Sequence, residues 1–111
     1  MPTEPPVEPE HLRALRDAYG EIATHVLELF EQTSAATIGE LRAAIEAGDG
    51  DEARRLAHRL KGSARNVGAV GMADLAAELE AAPDEPRPAF ERLEAASAAT
   101  VAALRAALDG R

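Results

Sequence analysis

What most restricts the fold of this chain is the identity of its apolar residues: of 51 among 111 residues, 26 are alanine. Alanine is the strongest helix former and a poor strand residue, while Leu, Ile, Val and Phe together number only 22. Aromatic side chains are limited to Tyr19, Phe30 and Phe90, so a sheet built on β-branched and aromatic pairs has too little material. The composition predicts an all-α protein of close-packed helices. With 111 residues, one domain is expected.

Periodicity divides the chain into five helices. Residues 1–9 hold four of the seven prolines and are acidic, which predicts a flexible arm ahead of a domain spanning 10–111. Leu12, Leu15 and Tyr19 then mark a short leading helix ending at Gly20, read as a lid on the bundle. From Glu21 to Ala47 the positions Ile22, Val26, Leu29, Phe30, Thr33, Thr37, Leu41, Ala44 and Ile45 predict a helix of about seven turns, closed by Gly48. Asp49 and Asp51 can cap the next helix, whose apolar face is Ala53, Leu56, Ala57, Leu60, Ala64 and Val67, with Gly68 at its end. Met72, Leu75, Ala76 and Leu79 mark a shorter helix that cannot pass Pro83, and 83–88 is expected to be a loop. Phe90, Leu93, Ser97, Val101, Leu104 and Leu108 form a last helix, with Gly110 beyond it. The architecture expected is an antiparallel four-helix bundle with a short extra N-terminal helix.

Charge and composition exclude several function classes. The net charge of −8 argues against general nucleic-acid binding, and no apolar run is long enough for a membrane span. The start lacks the basic and then apolar pattern of a secretory signal, and the absence of cysteine suits a reducing compartment, so a cytoplasmic monomer is expected. No metal or cofactor is expected either. The Glu8 and His11 spacing is interrupted by Pro9, and Asp49-Gly50-Asp51 lacks the remaining ligands of a calcium loop.

One segment reverses the local sign of charge: Arg54-Arg55-Leu56-Ala57-His58-Arg59-Leu60-Lys61-Gly62-Ser63-Ala64-Arg65. At about 100° per residue, the apolar stripe lies between roughly 0° and 100° from Leu56 and His58 at about 200°, facing water. Arg54, Lys61, Gly62 and Arg65 fall between roughly 140° and 240°, so the imidazole is expected to sit among three cations that favour its neutral, nucleophilic form. Gly62 lies one turn beyond His58, and glycine in an exposed helix costs about 1 kcal/mol against alanine, which suggests that another molecule needs the space. Arg59 points elsewhere on the helix. His25 and His11 carry no site argument.

At these residues the chain resembles the histidine-containing phosphotransfer (HPt) domains of bacterial phosphorelays. The resemblance rests on Ala57-His58, Leu60, Lys61-Gly62-Ser63, Gly68-Ala69, Met72, Leu75 and Leu79-Glu80, and extends to Phe30 and the Ala47-Gly48-Asp49 turn. Ala76 and Met72 depart from the residues usual in relatives, cysteine and leucine, in ways that affect packing. The resemblance implies that His58 is the phosphoacceptor, with Lys61 and Arg65 stabilising the phosphorylated form and Gly62 and Ser63 part of the same site. It further implies partners that are response regulator receiver domains or a hybrid histidine kinase, which would supply the Mg2+ and most catalytic groups, so that the domain is a phosphocarrier and not an enzyme. A docking module of the same shape that carries no phosphate is the alternative reading; an intact His58 and Lys61 count against it.

Overall fold

The computed structural model describes residues 9–82 and 84–109; of the arm expected at residues 1–9, residues 1–8 lie outside them and Pro9 belongs to the first helix. The described residues contain five helices and no strand: α1 (Pro9–Tyr19), α2 (Ile22–Glu46), α3 (Gly50–Asn66), α4 (Val70–Ala81) and α5 (Arg87–Asp109). Helices α2 to α5 form the bundle in an elongated body of 43 × 32 × 17 Å, and α1 packs on α2. The side chains of Leu12, Leu15 and Tyr19, on which the lid reading rests, lie outside the described set.

The turns follow from backbone chemistry. Gly48 has φ +72° and lets the chain reverse, with its N–H donating to Ile45 O at 3.1 Å and that of Asp49 to Ala44 O at 2.9 Å. This paired arrangement satisfies the last carbonyls of α2. Gly68, at φ +76°, repeats it after α3, where Gly68 N donates to Arg65 O at 3.1 Å and Ala69 N to Ala64 O at 2.8 Å. Asp49 serves both sides of its turn, because its carboxylate also caps α3 by accepting from Glu52 N at 3.1 Å. At the other end, α5 opens at Arg87, so Pro88 lies in the first turn and not in the expected loop; there the missing N–H costs nothing. Pro9 opens α1 on the same principle, one residue earlier than expected.

The core runs through Leu27, Phe30, Ile38 and Leu41 of α2, Leu56 and Leu60 of α3, Met72 and Leu79 of α4, and Phe90, Leu93 and Leu104 of α5. Alanines at 53, 57, 64, 73 and 76 fill the spaces between them, which lets helix backbones approach closely. The face of α2 differs from expectation. Ile22 and Leu29 are exposed, at 58% and 63%, and Thr33 is exposed too, while Ala23, Leu27 and Ser34 point inward. The buried line Ala23, Leu27, Phe30, Ser34, Thr37, Leu41 and Ala44 alternates steps of four and three residues, as in a heptad seam. Phe30, Thr37, Leu41 and Ala44 are buried as expected, and the expected stripe departs from the seam at Ile22, Leu29 and Thr33, where Ala23, Leu27 and Ser34 turn inward instead. In α5, Thr100 is fully buried and Ser97 half-buried; the Thr100 hydroxyl has no hydrogen-bond partner among the described residues.

Candidate functional site

Helix α3 turns Leu56, Ala57, Leu60 and Ala64 into the core, and that rotation leaves His58 outside, its side chain 69% exposed. Ala57, fully buried beside it, brings α3 close against its neighbours. Across the α3 and α4 contact lies Glu80, the second residue of the Leu79-Glu80 ending, which the spacing along α3 does not place in the site. His58 Nδ1 is 2.7 Å from Glu80 Oε2, and Lys61 Nζ donates to Glu80 Oε1 at 2.6 Å. One carboxylate therefore joins the imidazole and the ammonium, with Lys61 and Glu80 only 20% and 25% exposed. Hydrogen bonding first to Lys61 and then to His58 holds the Glu80 carboxyl below the ordinary carboxylate range.

This changes the expected electrostatics. Lys61 is bound to Glu80, and Arg54 lies 3.6 Å from Asp51, so the imidazole sits beside a compensated network and not an open ring of cations. Arg65 is exposed on the same face, two turns along, and its guanidinium forms no ion pair among the described residues. Arg59 turns to the α2 flank and binds Glu40 at 3.1 Å. Ser63 is directed away as well: five residues on from His58 it is rotated by about 140°, and its hydroxyl donates to Arg59 O at 3.1 Å. Of the expected set, the structure brings together His58 and Lys61, keeps Gly62 and Arg65 on their face, and separates Ser63.

Gly62 lies inside α3 with no positive φ, and a Cβ built on it meets nothing within 4 Å. Neither backbone geometry nor packing within the chain requires glycine there. A carboxylate can only accept, so the neutral His58 ring bonded to Glu80 carries its proton on Nδ1, and Nε2 presents a lone pair to solvent. The arrangement is a positioned nitrogen nucleophile on an accessible helix face. No group of three or more metal-ligating side chains occurs among the described residues, and Asp49 is engaged as a helix cap.

The family model of the Hpt domain matches residues 25–110. This chain belongs to the Hpt domain family. The crystal structure of histidine-containing phosphotransfer protein B (HptB) from Pseudomonas aeruginosa is similar to this Hpt domain, with a TM-score of 0.88 and 26% sequence identity over 93% of this chain and 94% of that one. No curated protein gives a significant match. Hpt domains are phosphocarriers, which agrees with a site that offers a nucleophile on an open face. No described helix is long and apolar enough to cross a membrane.

Proposed function

We propose that this Hpt domain relays a phosphoryl group between receiver-domain aspartates through His58, as a cytoplasmic monomer. The observation that carries the reading is the hydrogen bond from His58 to Glu80, which leaves Nε2 as the exposed nucleophilic nitrogen. In the forward step Nε2 attacks the phosphorus of an aspartyl phosphate, the new P–N bond forms, and the carboxylate of the donor receiver leaves. The receiver contributes the Mg2+ and most of the charge stabilisation, and this chain contributes orientation.

Lys61 has three donors and spends one on Glu80, so two remain for the oxygens of the arriving phosphoryl group. Arg65 adds an uncompensated positive charge on the same face, where an acidic receiver surface docks. Gly62 keeps the path to Nε2 clear. Ser63 contributes through the helix and not through the phosphoryl group, since its hydroxyl is already bound to α3.

Incubation with a phosphorylated receiver domain should label this protein on one residue, through a bond that is acid-labile and base-stable. His58→Gln should abolish the label with the melting curve nearly unchanged, because the side chain is exposed. Lys61→Ala should slow transfer more than Arg59→Ala. Labelling that survives loss of His58 would refute the reading, and absence of any label on the wild type would leave a docking module.

A further inference from the structure

We propose that Arg54 is a switched phosphate ligand: in the resting domain it rests against Asp51, and when His58 carries a phosphoryl group its guanidinium turns to the phosphoryl oxygens. The proposal rests on the reading of His58 as the carrier. Arg54 stands one turn before His58 on the same face of α3, about 40° from it around the helix axis. Residues four apart on a helix bring their Cβ atoms within about 5–6 Å, and helical side chains lean toward the N-terminus. A group carried on His58 therefore overhangs the turn that holds Arg54.

The cations of α3 differ in how firmly they are held. Lys61 is fixed by Glu80 at 2.6 Å. Arg55 donates to both oxygens of Glu52, at 2.9 and 2.7 Å, and Arg59 donates to Glu40 at 3.1 Å. Arg54 lies 3.6 Å from Asp51, beyond hydrogen-bond reach, and the two side chains are 57% and 98% exposed. An exposed pair of this kind contributes little to stability. Asp51 does not depend on it either, because it lies in the first turn of α3, where the positive end of the helix dipole favours a carboxylate. Releasing Arg54 is therefore cheap, and the phosphoryl group is the stronger partner. It offers three acceptor oxygens and nearly two negative charges, against two oxygens and one charge on Asp51, in a geometry that the guanidinium fork matches. The imidazole thus sits beside a compensated network at rest and gains a second cation, beyond Lys61, only when it is loaded.

The test measures the equilibrium of transfer. Forward and reverse single-turnover rates between this protein and one receiver domain, with Mg2+, give it as their ratio, which a change in docking alone leaves untouched because it acts on both directions alike. Circular dichroism verifies that each variant is folded. Arg54→Ala should shift the ratio against phosphorylated His58 by about two- to fivefold, the size of an exposed ion pair, and Arg55→Ala should leave it unchanged. Asp51→Asn should shift it about twofold the other way, by removing the resting partner. The same substitution should do nothing once Arg54 is alanine, since Asp51 lies two turns, about 10 Å, before His58 and its own field is screened. An unchanged ratio in Arg54→Ala, with or without slower rates, would overturn the role given to Arg54. An Asp51→Asn effect that is nil, or the same with and without Arg54, would overturn the exchange of partners. Absence of any His58-dependent label on wild type would instead remove the carrier reading itself.

Discussion

Gly62 provides the sharpest test, because stability and transfer should move in opposite directions. It lies inside α3 with ordinary helical backbone, and an added Cβ meets nothing within 4 Å. Replacing it by alanine should therefore recover the helix propensity that glycine forfeits, about 1 kcal/mol. For a chain of 111 residues, an unfolding entropy of about 2.1 cal/mol/K per residue converts this to a rise in Tm of about 4 °C. Gly39 supplies the control, since it is exposed inside α2 with equally open surroundings. Gly39→Ala should raise Tm by a similar amount. Gly62→Gln should also raise stability, by less, while placing a long side chain one turn from His58 on the approach to Nε2. Thermal melts by circular dichroism and transfer kinetics from a phosphorylated receiver are the two assays. Slow transfer is expected only for Gly62→Gln, with Gly39→Ala at the wild-type rate. A fall in Tm at Gly62, or normal transfer in Gly62→Gln, would refute the argument that this glycine preserves access.

The other expectations concern the fold and its acid limit. Gly68→Ala should destabilise by about 1 kcal/mol or more, because φ +76° strains an L side chain, and a urea titration would measure it. Thr100→Val should be neutral or stabilising by about 1 kcal/mol in the same assay, since it replaces a buried hydroxyl without a partner by a methyl of similar shape. The Glu80 carboxyl titrates below its ordinary value of 4.5 in the folded chain, so its contribution to stability is present above that value and is lost as pH falls through the lower folded one. The stability gap between wild type and Glu80→Gln should accordingly be widest above about pH 5 and close on acidification.

Helix number, the ends of α2 and α3 and the exposed histidine were legible in the sequence because each depends on local spacing. Gly48, Gly68 and Asp49 act within one turn of their own positions, and the rotation of α3 follows from Leu56, Ala57, Leu60 and Ala64 alone. What depended on two helices at once was not legible in this way. Ile22 and Leu29 outweigh Ala23 and Ser34 in any count of apolar bulk, yet Ala23 and Ser34 are the ones turned inward. Glu80 joins the site only because α4 returns beside α3 with a particular rotation. The spacing of charges along α3 records the cations near His58 but contains no information about a carboxylate from the next helix.

The contact between His58 and Glu80 spans 22 residues within a single helical hairpin, joined by the three residues 67–69. Closing so short a loop costs little chain entropy, and contacts this local form early and rapidly. The reactive nitrogen and its proton-holding partner therefore belong to one cooperative unit, to which α1 and the end of α5 do not belong. Fraying of α1 or of the last turn of α5 can open the ends of the molecule without separating the two. The relay proposed above would present its nitrogen from this single hairpin, and hydrogen exchange should find the amides of α3 and α4 protected together.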